Sequence, residues 1–164
     1  MKTLYIIRHA KSSWANLNQT DFERALNDRG NKDALMMAEK LFKKKETIDI
    51  FISSTALRAR KTCEYFCKSY GVDINEILFS DKLYHAPAYV IYSVIEEIDD
   101  TKKGAAIVCH NPGITDFVNS LTDLFRIDNM PTSGIVAVEA DTDTWKNFES
   151  AEKKVLFFDY PKNF

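Results

Sequence analysis

The run Ala105-Ala106-Ile107-Val108-Cys109 offers no polar residue to turn towards water on either face of an extended chain. It reads as a strand buried on both sides, the kind found inside a mostly parallel sheet with helices packed on each face. The run stops at His110. A second stretch of β-formers, Leu4-Tyr5-Ile6-Ile7, stops as abruptly, at Arg8-His9. In such sheets ligands bind in the crevice outside the carboxyl ends of the strands, so an arginine and two histidines at those ends point to a site for an anion.

The rest of the chain alternates in the same manner. Ala10 to Glu23 is a long polar connection, containing Lys11, Ser12, Ser13, Asn16 and Asn18, of the kind that often carries function. Leu26 then precedes Asn27, a helix cap, and Ala34, Met37, Ala38 and Leu41 recur at helical spacing before Lys43-Lys44-Lys45 meets the negative helix end. Ile48 to Ile52 reads as a second strand. Ser53-Ser54-Thr55 reads as a turn with Thr55 capping a helix, whose buried stripe is Ala59, Cys63, Phe66 and Tyr70 and whose end is Gly71. That cap would place Arg58 in the first helical turn, at the same sheet edge as His9.

A weaker strand, Glu76 to Ser80, leads through Asp81, Tyr84 and His85 to Pro87, the expected first residue of a helix with Val90, Ile91, Val94, Ile95 and Ile98 inward. After His110, Asn111 and Pro112 should cap and start another helix, burying Ile114, Phe117, Val118 and Leu121. Ile135 to Ala140 and Val155 to Phe158 complete the sheet. With 164 residues, 45% hydrophobic, the chain suits one domain spanning 1–164. The expected fold is a three-layer α/β sandwich, a mostly parallel central sheet with helices on both faces.

Charge narrows the partners. A net charge of -2 and a pI near 5.9 give no general basic field, so neither nucleic acid nor an anionic membrane is expected as partner. No apolar run approaches the roughly 20 residues of a membrane span, and Met1-Lys2-Thr3 enters a strand with no leader pattern, so a cytoplasmic location is expected. Three cysteines, Cys63, Cys67 and Cys109, are too few for a secreted disulfide framework.

All three histidines fall near one sheet edge, with two arginines. Arginine in the shell repels a cation, and neither Cys-x-x-Cys nor His-Glu-x-x-His spacing occurs, so no metal and no cofactor is expected. A glycine-rich phosphate loop and a Gly-x-Ser-x-Gly elbow are also missing from the sequence. Two arginines and two histidines do suit a phosphoryl group. A neutral His9 would attack phosphorus while Arg8, Arg58 and a protonated His110 neutralise the oxygens, and water would then attack phosphorylated His9.

Arg8-His9-Ala10 resembles the Arg-His-Gly signature of the histidine phosphatase (phosphoglycerate mutase-like) superfamily. The other motifs follow in that family's order: Leu26-Asn27-Asp28-Arg29-Gly30, then Ser53 to Ala59 with Thr62, then Val108-Cys109-His110-Asn111-Pro112. Lys11-Ser12-Ser13-Trp14, the short chain and the lack of inserted domains resemble the small phosphohistidine phosphatases. The resemblance implies a metal-independent phosphatase with a phosphoglycerate mutase-like fold and a four-residue pocket of Arg8, His9, Arg58 and His110. Ser12, Asn16 and His85 are expected to touch substrate.

Two departures stand out. Ala10 replaces the signature glycine, so its backbone must avoid a conformation only glycine tolerates. The glutamate that protonates an alkoxide in many members is replaced by Leu83-Tyr84-His85-Ala86, leaving Asp21, Asp81 and His85 as candidate proton donors. An imidazole leaving group needs less help from an acid, which favours protein phosphohistidine as substrate, and a shallow, open pocket is expected to suit it. The alternatives are a small-metabolite phosphatase or mutase and a phosphate-binding module without turnover.

Overall fold

The computed structural model describes residues 1–162. Among them a six-stranded sheet is built from β1 (Lys2–Arg8), β2 (Ile50–Ser54), β3 (Leu78–Ser80), β4 (Gly104–Cys109), β5 (Ile135–Ala140) and β6 (Lys153–Asp159). The strand order is β3-β2-β4-β1-β5-β6, with the first four mutually parallel and β5 and β6 antiparallel. Four helices alternate with these strands: α1 (Asp28–Lys43), α2 (Leu57–Ser69), α3 (Ala88–Glu96) and α4 (Gly113–Ser120).

Alternation along the central strands explains the layers. Leu4 and Ile6 of β1 pack with Ile107 of β4 against Ile91 and Ile95 of α3 and Phe117 of α4. Tyr5 and Ile7 face the other way, with Val108, against Met37 and Leu41 of α1 and Phe66 of α2. Every residue of β4 is buried, as its unbroken apolar sequence requires. The expected three-layer sandwich is thus the observed one.

Register then sets the site. Arg8 is paired with Cys109, so the next residues, His9 and His110, leave adjacent strands side by side, and the His9 N–H donates to the Cys109 carbonyl at 3.3 Å. The long connection after His9 is fastened at its base. Ser12 pairs with Leu26 in an isolated antiparallel bridge, and a Cβ on Gly30 would overlap the Lys11 carbonyl oxygen, so only glycine lets α1 approach this closely.

Several expected boundaries shift. Ser53 and Ser54 belong to β2 rather than to a turn, because Ser53 pairs with both Val108 and Phe79 and extends the ladder. Thr55 does not cap α2, since its hydroxyl donates to Asp81 Oδ1 at 2.6 Å; the N-cap is Ala56. Pro87 and Pro112 stand one residue outside α3 and α4, at their N-caps, and the Asn111-Pro112 peptide is cis. Asn27 caps α1 as expected, accepting from the Gly30 N–H at 2.8 Å. Only Leu78–Ser80 of the third strand forms, because Ile74–Glu76 is taken by a 3-10 turn.

Candidate active site

His9 directly follows β1 and is buried. It is 7% exposed, and its Nδ1 lies 2.8 Å from the Ala10 carbonyl oxygen. A carbonyl only accepts, so Nδ1 carries the proton and Nε2 keeps a lone pair. Burial pushes the His9 pKa down to about 3, against the Ala10 bond and with Arg58, Arg8 and Arg24 adding to the depression. The imidazole is therefore neutral throughout the physiological range.

Arg8 ends β1, its Nη1 donating to the Met130 carbonyl at 2.8 Å, and burial lowers its pKa. Arg58 sits in the first turn of α2 and is 3% exposed. Its Nη1 donates to the Asp21 backbone oxygen at 2.7 Å and its Nη2 to Asp21 Oδ2 at 3.0 Å. The Nε groups of both arginines are buried without a hydrogen-bond partner, an arrangement that costs free energy unless an acceptor is bound there. Ala10, fully buried, donates its N–H to Thr62 Oγ1 at 2.9 Å, and the Thr62 hydroxyl donates to the Arg58 carbonyl, tying β1 to α2. Ala10 lies outside the left-handed backbone region, so alanine is accommodated where the family signature has glycine.

The His9 and His110 rings are 5.0 Å apart. His110 Nε2 lies 2.7 Å from Ser54 Oγ, and its Nδ1 is buried without a partner. Burial first, then His9, Arg58 and His85, push the His110 pKa down to about 2. The expectation of a protonated His110 is therefore corrected for this state: it is neutral, because the sheet edge that places it also strips it of water.

A cavity of about 410 Å³ brings Arg8, His9, Arg58 and His110 together with Ser12 and His85. Lys11, Trp14, Asp21, Arg24, Asn111 and Thr132 complete its lining, which carries four basic side chains against one carboxylate in a chain of net charge -2. Asn16 is outside this lining; it is exposed and its Oδ1 accepts from the Asn18 N–H at 3.0 Å. Asp81 is also outside it, engaged by Thr55.

Asp21 is a hub rather than a proton source. Burial alone would raise its pKa, but hydrogen bonds from Tyr84 (2.6 Å), Arg58 and Arg24 (3.1 Å) hold the carboxyl well below the usual range. Its role as a candidate acid is corrected on that ground. His85 remains at the rim with a positive φ of 55°, its Nε2 3.5 Å from Asp21 Oδ2 and its ring 6.0 Å from that of His110.

Sequence reasoning missed Arg24 and Tyr84. Arg24 is 8% exposed, with Nη1 donating to Ser12 Oγ at 2.7 Å and its guanidinium 3.6 Å from the centre of the Trp14 ring. The one signal in the sequence is the Asp21-Arg24 spacing, an i,i+3 ion pair opening a short turn.

Comparison with known proteins agrees with this architecture. The family model of the histidine phosphatase superfamily (branch 1) matches residues 4–78, which carry the first three motifs. An uncharacterized protein of Mycobacterium leprae is 28% identical over 167 residues, 95% of this chain and 100% of that one. The proposed phosphohistidine phosphatase SixA from Agrobacterium tumefaciens superposes with a TM-score of 0.83 at 26% identity, over 98% of this chain and 99% of that one. The protein histidine phosphatase SixA complexed with tungstate shares the fold, with a TM-score of 0.83 at 20% identity over 98% of both chains. In fold and in motif order the chain is similar to the histidine phosphatase superfamily, whose family model matches its N-terminal part. The chain is similar in length and fold to the SixA phosphohistidine phosphatases, and this likeness supports a phosphatase.

Proposed function

We propose that this chain, as one histidine phosphatase domain over 1–164, hydrolyses a phosphomonoester or phosphoramidate, with protein phosphohistidine as the substrate, through a phosphohistidine intermediate on His9. The observation that carries the reading is a neutral imidazole whose Nδ1 proton is held by the Ala10 carbonyl and whose Nε2 lone pair is left for attack, inside a cavity lined by three arginines.

The Nε2 lone pair forms a bond to phosphorus as the P–N or P–O bond to the leaving group breaks. Arg8 and Arg58 face the oxygens, and the two buried Nε–H groups without partners are donors suited to them. His110, neutral before binding, gains a reason to hold a proton when a dianion enters beside it. Water then attacks the phosphoryl group on His9, releasing inorganic phosphate and restoring the imidazole. Guanidinium groups supply the positive charge, so the sequence of steps uses no metal and no cofactor.

The SixA proteins that the chain resembles support the phosphohistidine substrate, as does the absence of a glutamate after β3, since imidazole leaves more readily than an alkoxide. Such a substrate suits a cytoplasmic protein, and no helix among the described residues is long and apolar enough to cross a membrane. The test is rapid-quench labelling of wild type and His9→Ala with a radioactive activated phosphodonor. Acid-labile, base-stable label and phosphate release are expected on wild type alone. Normal turnover in His9→Ala would sink the nucleophile assignment, and phosphate binding without phosphate release in wild type would leave a binding module.

A further inference from the structure

The two tryptophans of this chain are treated oppositely. Trp145 is fully buried in the core, whereas Trp14 is 72% exposed and yet lines the cavity that holds His9 and His110. Water-exposed indole needs a reason. Packing does not supply one, because the group against which the ring lies is a guanidinium: the Arg24 Cζ stands 3.6 Å from the ring centroid.

Arg24 is itself immobilised. Buried to 8% exposure, it is tied to Ser12 Oγ at 2.7 Å and to Asp21 Oδ1 at 3.1 Å, and the same Asp21 holds Arg58. Trp14 is therefore mounted on the charged network of the pocket, not on the hydrophobic core. The cavity has buried charges at its base and two exposed rings, Trp14 and His85, on its lining. A phosphoryl group held at the base would share the cavity with these rings. An aromatic face there gains free energy from a flat π-bearing group and little extra from a puckered or flexible one.

We propose that Trp14, held face-on by Arg24, is the surface against which a planar leaving group stacks, so that the site selects phosphoryl groups carried on an imidazole or aryl ring. This rests on the reading that the cavity takes a phosphoryl group. The same platform would bind an alkyl phosphate less tightly, a disadvantage separate from the poor leaving ability of an alkoxide.

Titration calorimetry of wild type, Trp14→Leu and Trp14→Phe with inorganic phosphate, phenylphosphonate and cyclohexylphosphonate tests it. The two phosphonates match in size and cannot be hydrolysed, but only one is flat. Wild type should bind phenylphosphonate about two- to tenfold more tightly than cyclohexylphosphonate, the range of aromatic pair energies. Trp14→Leu should bring the two to parity, Trp14→Phe should restore the preference, and inorganic phosphate should bind all three proteins alike. An unchanged phenyl preference in Trp14→Leu, or none in wild type, overturns the proposal while leaving the phosphate pocket intact. Loss of inorganic phosphate binding in Trp14→Leu would make Trp14 a support for Arg24 and also overturn it. Failure of wild type to bind inorganic phosphate would overturn the reading of the cavity itself.

Discussion

The cavity has two halves of different construction. On one side His9, Arg8 and His110 hang from β1 and β4, adjacent strands whose register leaves them no choice of position. On the other, Asp21, Arg24 and His85 come from the connections after β1 and β3 and are held by side-chain contacts, with Tyr84 outside the lining: Asp21 alone takes bonds from Arg58, Arg24 and Tyr84. The first half is buried and its imidazoles are kept neutral by loss of water; in the second, hydrogen bonds from Tyr84, Arg58 and Arg24 hold the Asp21 carboxyl well below the usual range. The lesson is that a reactive group whose protonation state matters is placed by backbone pairing. The loop-borne groups are placed by side-chain networks, which can be rewired without disturbing a sheet.

Arg58 joins the halves, and removing it should hurt most. Arg58→Ala takes one guanidinium from the phosphoryl oxygens and leaves Asp21 to Arg24 and Tyr84, so kcat should fall by about 10²–10³, on the order of 3 to 4 kcal/mol of transition-state stabilisation. An unchanged rate in stopped assays of phosphate release would remove Arg58 from the pocket. Asp21→Asn probes the side-chain network alone. The backbone oxygen still holds Arg58 Nη1, so a loss of about tenfold in kcat/KM is expected, at the lower end of what hydrogen bonds between charged groups contribute. A loss as large as that of Arg58→Ala would show that the two halves are not separable.

Acid should separate them differently. His9 and His110 are depressed to about 3 and about 2, while an unfolded imidazole titrates near 6.5, so the unfolded chain holds more protons below that point. Their contribution to stability is complete above pH 6.5 and is lost as pH falls from there through the folded values. Each adds about 1.4 kcal/mol per pH unit to the slope. Urea unfolding between pH 7.5 and 5.5 should show the decline in wild type, and a shallower one in His110→Gln. Equal slopes would mean that His110 is not held neutral by the fold.

The sheet-borne half was legible in the sequence because two apolar runs end alike, one in Arg-His and one in a histidine, and the recurrence marks a shared sheet edge. Arg58 followed from its place after β2, though by a mistaken cap: Thr55 spends its hydroxyl on Asp81, a partner 26 residues away that spacing does not reveal. The loop-borne half was less legible. Ser12 was expected at the site and lines it, but Asn16, of similar chemistry, turns to its own loop, because a polar loop has no periodicity to say which side faces in. Arg24 escaped for the same reason. It reaches the cavity only because Ser12 pairs with Leu26, a single bridge between segments 14 residues apart in sequence. The neutral state of His110 follows from burial that only the assembled layers define.

That bridge, with the Lys11 carbonyl seated on Gly30, closes the neck of the loop below its apex. The neck fixes Ser12 and Arg24 whatever the span between them contains, and residues 15–19 bear on neither the sheet nor the cavity lining. Since lengthening a closed loop costs free energy only logarithmically, the apex is a splice point. A lid, a docking hook or a longer recognition arm grafted there would change what the enzyme admits while leaving its chemistry untouched, so that new specificities on this scaffold need only be added, not traded against the old one.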